Sequence, residues 1–185
     1  NENSGLLVAN RGLPEYEILQ DSRNTIALTV LRAVDRLGDW GVFPTPEAQC
    51  KGTFVCEYAL VPYGGERAVA AAEAYAFNAP AHVTQTALHG GQIAATSALV
   101  SLQPAPLVLS ACKKADGRDG VIVRFFNPTD GDLQARLRVG IDFERVFVCD
   151  LAENRQRELA STGDGDTVEI EAGAKEIVTL EFVAA

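Results

Sequence analysis

Residues that move protons or hold metals are sparse in this chain. His82 and His89 are its two histidines, and they stand seven positions apart. That is outside the His-Glu-x-x-His spacing that sets two imidazoles on one helical face around zinc. Carboxylates cluster in Asp116-Gly117-Arg118-Asp119-Gly120 and in Gly163-Asp164-Gly165-Asp166. A sugar hydrolase needs two carboxyl groups held at a fixed separation. Here aspartate alternates with glycine between apolar runs, which is the chemistry of a hairpin turn: glycine supplies φ > 0 and aspartate bonds its own backbone. Neither cluster has the alternating acids and distal glutamate of a calcium loop. There is no Gly-x-Ser-x-Gly elbow, no Walker loop and no Gly-x-Gly-x-x-Gly. No acid, base and nucleophile set can be assembled, and no metal ligands are assigned.

Trp40, the single tryptophan, sits in Asp39-Trp40-Gly41. Sugars stack on exposed indole faces, so it is a candidate carbohydrate platform; the alternative is a loop anchor packed down on the domain. The segment Phe43-Pro44-Thr45-Pro46-Glu47-Ala48-Gln49-Cys50 holds two prolines two positions apart, which fix a structured loop carrying Glu47 and Gln49. Cys50, Cys56, Cys112 and Cys149 form no Cys-x-x-Cys pair. Their largely apolar neighbours predict small buried hydrophobes in a reducing, cytoplasmic setting.

The 185 residues carry a net charge of -9, against a phosphate-backbone partner, so no nucleic acid is expected. No apolar run reaches membrane-spanning length, so no membrane partner is expected either. The chain has no methionine and enters an apolar segment at Leu6 almost at once, which predicts a piece of a longer polypeptide.

The elements that must position any chemistry are mostly strands. Leu133 to Val139, Thr167 to Glu171 and Val178 to Phe182 alternate apolar and polar residues with the period of a half-buried strand. Gly120 to Phe126, Leu107 to Leu109 and Arg145 to Cys149 are further β-rich runs, and Asn127-Pro128-Thr129-Asp130-Gly131 is a strong turn. A small β-sandwich follows for 105–185, after Pro104. In 1–104, Leu6 to Ala9, Glu15 to Leu19 and Phe54 to Val61 read as strands. Residues 24–38 fit a strand with Ile26, Leu28 and Val30 on one face, or a helix with Val30, Leu31, Val34 and Leu37 in a stripe. One short helix is predicted over 66–77, alanine-rich and halted before Pro80.

Several segments in order carry a resemblance. They are Val8-Ala9-Asn10-Arg11-Gly12-Leu13-Pro14-Glu15-Tyr16-Glu17, Ile26-Ala27-Leu28-Thr29-Val30-Leu31-Arg32-Ala33-Val34, Pro44-Thr45-Pro46-Glu47-Ala48-Gln49-Cys50 and Glu57-Tyr58-Ala59-Leu60-Val61-Pro62. Later come Leu107 to Ser110, Lys113-Lys114, Val123 to Thr129 and Glu176 to Leu180. The succession resembles the C-terminal β-region of glycoside hydrolase family 38, the α-mannosidases, in its bacterial mannosylglycerate-hydrolase-like branch.

The resemblance implies an all-β architecture: part of a large β-sandwich region followed by a small Ig-like sandwich. It tips 24–34 toward a strand. It implies a retaining α-mannosidase whose zinc, nucleophile and general acid lie in an N-terminal barrel of the same polypeptide. This chain alone is then non-catalytic and holds no cofactor, with the barrel and an α-mannoside as its partners. Arg32, with Asp35, is the candidate to reach the sugar pocket, hydrogen-bonding sugar hydroxyls or pairing with a substrate carboxylate. The competing reading of Arg32 is a structural salt bridge. The alternative for the whole chain is a free-standing carbohydrate-binding or Ig-like module using Trp40.

Overall fold

The computed structural model describes residues 4–38, 40–65, 67–91, 93–159 and 166–184. The chain divides into two compact units, Asn1–Ala81 and His82–Ala185. The first contains β1 (Ser4–Arg11), β2 (Tyr16–Ile18), β3 (Ile26–Leu28), β4 (Arg36–Leu37), β5 (Phe43–Pro44), β6 (Glu57–Gly64) and α1 (Arg67–Asn78), with a 3-10 turn at Pro46–Ala48.

β1 and β6 form an antiparallel two-stranded sheet, Leu7 opposite Val61 and Ala9 opposite Ala59. α1 packs on it. Alanines make this close approach feasible: Ala70 of α1 and Ala9 of β1 are buried. Arg11 ties the two together, bonding Glu57 at 2.5 Å and the Phe77 carbonyl while its guanidinium lies 4.5 Å over the Phe77 ring. β2 and β3 make a hairpin whose turn is held by Asp21, which accepts from the Arg23 N–H at 3.0 Å and the Thr25 hydroxyl at 2.5 Å.

The expected helix at 66–77 is α1, although Glu66 lies outside the described residues. The segment 24–34 is strand only over Ile26–Leu28. The pairing ends there because β2, its partner, is three residues long. Phe54, Val55 and Cys56 precede β6 without joining it.

The second unit holds β7 (Val100–Gln103), β8 (Val108–Lys114), β9 (Val121–Phe126), β10 (Leu133–Val139), β11 (Arg145–Cys149), β12 (Arg155–Leu159), β13 (Thr167–Ala172) and β14 (Ile177–Val183). Two antiparallel sheets result, ordered β13-β10-β7 and β12-β11-β14-β9-β8. β7 lies just before the boundary expected at 104 and pairs with β10.

Between the sheets lies one apolar cluster. Val123, Phe125, Val146, Val178, Leu180 and Phe182 come from the larger sheet and meet Ala135, Leu137, Val139, Val168, Ile170 and Ala172 of the smaller. Period-2 alternation puts these residues on the inner faces. Phe143 stacks edge-on to Phe182 with centroids 4.9 Å apart.

Asn127, wholly buried, closes one end of this cluster. Its Nδ2 donates to the carbonyls of Gly131, Ala172 and Gly173, and its Oδ1 accepts from the Thr129 N–H and hydroxyl. A buried amide with every group satisfied fixes the turn after β9 against the end of β13.

Among the described residues no helix is long and apolar enough to cross a membrane. The cysteines depart from expectation. All four are free; Cys149 is buried and Cys56 half-buried, but Cys50 and Cys112 are exposed. Cys112 stands on β8, which ends the five-stranded sheet among the described residues, and Cys50 follows the 3-10 turn.

Candidate functional site

Two places concentrate polar chemistry, one in each unit. In the first, the ends of the β2–β3 hairpin bring residues 12–15 beside residues 29–32, where the Thr29 N–H donates to the Glu15 carbonyl at 3.1 Å. A groove of about 230 Å³ opens there, lined by Leu13, Pro14, Glu15, Thr29, Leu31 and Arg32 among others. Arg32 stands at this groove, beyond the end of β3, with its side chain two-thirds exposed and paired to Glu15 at 3.0 Å. So exposed a pair contributes little, and Arg32 can exchange Glu15 for another acceptor at small cost.

Asp35 is exposed, and its backbone carbonyl accepts from the Thr45 N–H at 2.8 Å. The Thr45 hydroxyl donates to the Val34 carbonyl at 2.8 Å, so Pro44-Thr45-Pro46 is pinned along residues 34–35. Trp40 sits at the tip of the β4–β5 hairpin, which the Gly41 N–H closes onto the Gly38 carbonyl at 2.9 Å. Both glycines have positive φ, +96° and +63°, the conformation glycine adopts without strain. The indole is 74% exposed, so it is not packed down on the described part of the chain. Among the described residues no hydrogen bond or ion pair joins Arg32, Asp35 and Trp40 to one another.

The second place is the outer face of the five-stranded sheet, and it escaped the sequence reading. Alternation along β14 puts Glu181 opposite the core side, where solvent is expected, yet Glu181 is fully buried. Arg118 and Arg155 each hold it with two charge-assisted bonds: Nε and Nη2 of Arg118 at 2.8 and 3.0 Å, those of Arg155 at 2.8 and 2.9 Å. The Arg155 bonds, opposed by burial and reinforced by Arg118, pull the Glu181 carboxyl down to about 2. Arg155 also stacks on Phe147 at 4.2 Å, with Arg145 at 4.7 Å from the same ring.

Two turns cover this face. Gly117, at φ +66°, shapes the turn between β8 and β9. Gly120 ends that turn against Glu181, where an added Cβ would lie 2.8 Å from the clamped Oε1. Glu153, in the turn between β11 and β12, has φ +67°. That conformation costs a non-glycine residue roughly 1 kcal/mol. Its carboxylate offsets the strain by pairing with Lys113 at 2.6 Å and accepting from the Asp116 N–H at 3.0 Å. The Lys113 contact first, and that N–H second, hold its carboxyl below the usual range. The Arg118 guanidinium donates to the Glu153 carbonyl, locking the turns to each other.

Chemically this lattice is a clamp. Glu181 is ionised at any working pH and has no proton to give, and its oxygens are committed to two guanidiniums. Cys149 lies 3.9 Å from Glu181, and burial, then the carboxylate, push its thiol upward, the reverse of an activated nucleophile. His82 and His89 are exposed, and among the described residues His89 contacts the nearby Thr86 hydroxyl and Gly90 carbonyl. Among the described residues no three His, Cys, Asp or Glu side chains gather as a metal site. The turn expected at Gly163 to Asp166 lies, except for Asp166, outside the described residues.

The chain is similar to known proteins over nearly its whole length. Residues 106–180 match the family model described as the glycosyl hydrolases family 38 C-terminal beta sandwich domain. The chain is 38% identical, over 98% of its length, to the "Putative mannosylglycerate hydrolase" of Halalkalibacterium halodurans, and spans 20% of that relative. Two solved structures match 98% of the chain with a TM-score of 0.80. One is a protein in glycosyl hydrolase family 38 from Enterococcus faecalis, 30% identical, of which the chain covers 21%. The other is an alpha-mannosidase from Enterococcus faecalis V583, 31% identical, of which it covers 20%. Residues 106–180 thus carry the C-terminal beta sandwich domain of glycosyl hydrolases family 38, and the chain spans about a fifth of the length of the relatives it matches.

Proposed function

We propose that this chain is the non-catalytic C-terminal β-region of a retaining, zinc-dependent α-mannosidase, supporting the fold and helping to shape the sugar cleft. One observation carries the reading: similarity covers 98% of the chain to a relative named for mannosylglycerate hydrolysis, and equally to a solved alpha-mannosidase. On this reading zinc, nucleophile and general acid belong to the preceding barrel, and no step is routed through this chain's own carboxylates. A cytoplasmic location is part of the same reading.

The contribution assigned to this chain is substrate positioning. Arg32, released cheaply from Glu15, donates in bidentate fashion to sugar hydroxyls or to the carboxylate of a mannosyl acid. Asp35 accepts from a sugar hydroxyl, and Trp40 offers an apolar face at the same rim.

In the complete protein, Arg32→Ala is expected to lower kcat/KM for an α-mannoside by about 10- to 100-fold, the loss of one or two charge-assisted bonds. The melting temperature stays unchanged. Unaltered kinetics with a lowered melting temperature would make Arg32 a structural ion pair instead.

A further inference from the structure

The sheet of β1 and β6 has two faces with different fates. Paired residues of an antiparallel ladder point the same way. Leu7, Ala9 and Arg11 therefore share one face with Val61, Ala59 and Glu57, while Leu6, Val8 and Asn10 share the other with Pro62, Leu60 and Tyr58. α1 covers the first face, as the Arg11 contacts to Phe77 show. On the second, Leu6, Leu60 and Tyr58 are 53%, 57% and 61% exposed, and Pro62 is exposed beside them. None of its six residues is charged, in a chain 22% charged overall. In addition, β1 and β6 have no strand partner but each other among the described residues. The helix covers one face of this sheet and leaves the apolar residues of the other in water.

We infer that this face is an internal docking surface, occupied in the complete protein by an apolar layer of the polypeptide preceding this region. The chain makes up 20 to 21% of its relatives, and the family model's own description puts its sandwich at the C-terminal end, so most of the protein precedes it. The uncharged strip sets the chemistry of the occupant, since a charged ligand or a polar rim finds no counter-charge there. The inference names the face through which the region proposed above is held, and rests on that reading only for its placement within a longer polypeptide.

Hydroxyl-radical footprinting of the complete protein reads Leu6, Tyr58 and Leu60 directly, each normalised to its rate in urea. We expect all three to be oxidised about 10-fold or more slowly than half-exposed side chains. In the same protein, Leu60→Asp should restore the oxidation of Tyr58 and lower the melting temperature. Free oxidation of the three wild-type residues overturns the inference; so does protection that disappears when the protein is diluted to a monomer, which assigns the face to a second copy. Hydrolysis of α-mannosides by the same sample separates the two proposals. Activity with an unprotected strip overturns the docking face alone, and protection without activity overturns the mannosidase reading alone.

Discussion

The C-terminal unit keeps Phe125, Leu137, Val168 and Leu180 entirely out of water, while the N-terminal unit leaves Tyr58, Leu60, Val69 and Trp40 more than half exposed. Both units are built from short strands of ordinary β composition. They differ in closure: eight strands fold into two sheets that cover each other, whereas β1 and β6 have α1 on one face and an apolar strip on the other. Closure, more than strand propensity, decides which unit carries its own stability.

The largest expected effect is in the sandwich core. Phe125→Ala should destabilise the C-terminal unit by about 4 kcal/mol, the cost of a large cavity in a packed interior. Leu60→Ala in the isolated chain should cost less than about 0.5 kcal/mol, because more than half of that side chain already meets solvent. Urea unfolding of both variants checks the contrast. Equal costs would mean that the two units are equally closed.

A smaller effect is expected at the clamp on the outer face. Glu181→Gln leaves Arg118 and Arg155 against a neutral amide, and should cost about 2 kcal/mol, below a fully enclosed pair because both arginines reach water. Its pH dependence has a definite sign. The folded carboxyl sits near 2 against 4.5 ordinarily, so its stabilisation is complete above 4.5 and is lost as pH falls toward 2. The difference in stability between wild type and Glu181→Gln should therefore shrink across that interval. A difference that stays constant from pH 5 to pH 2.5 would show that Glu181 contributes through shape alone.

What the sequence disclosed follows the same division. Alternation in 133–139, 167–171 and 178–182 located three sandwich strands, because a closed sandwich enforces period 2. β12, Arg-Gln-Arg-Glu-Leu, went unread, since an edge strand needs few apolar residues. Glu181 looked solvent-facing by its period, and only the two turns folding over it make it buried. In the N-terminal unit 24–38 carried two incompatible periods, and only Ile26–Leu28 and Arg36–Leu37 of it are strand. Arg32 and Asp35 came to notice through resemblance, and Trp40 as the single tryptophan set in a loop. Arg32 lines a groove of the first unit, whereas Asp35 and Trp40 are exposed and stand outside its lining. A site completed by other parts of a polypeptide leaves no full signature in one of its pieces.

Backbone hydrogen exchange, compared between the isolated 185-residue chain and the complete protein, tests the central claim most directly. Amides of β9, β10 and β14 should be equally protected in both, as a self-sufficient sandwich requires. Amides of β1 and β6 should exchange rapidly in the isolated chain and slowly in the complete protein. Equal protection of β1 and β6 in both samples would contradict the account, because the N-terminal unit would then need nothing beyond itself.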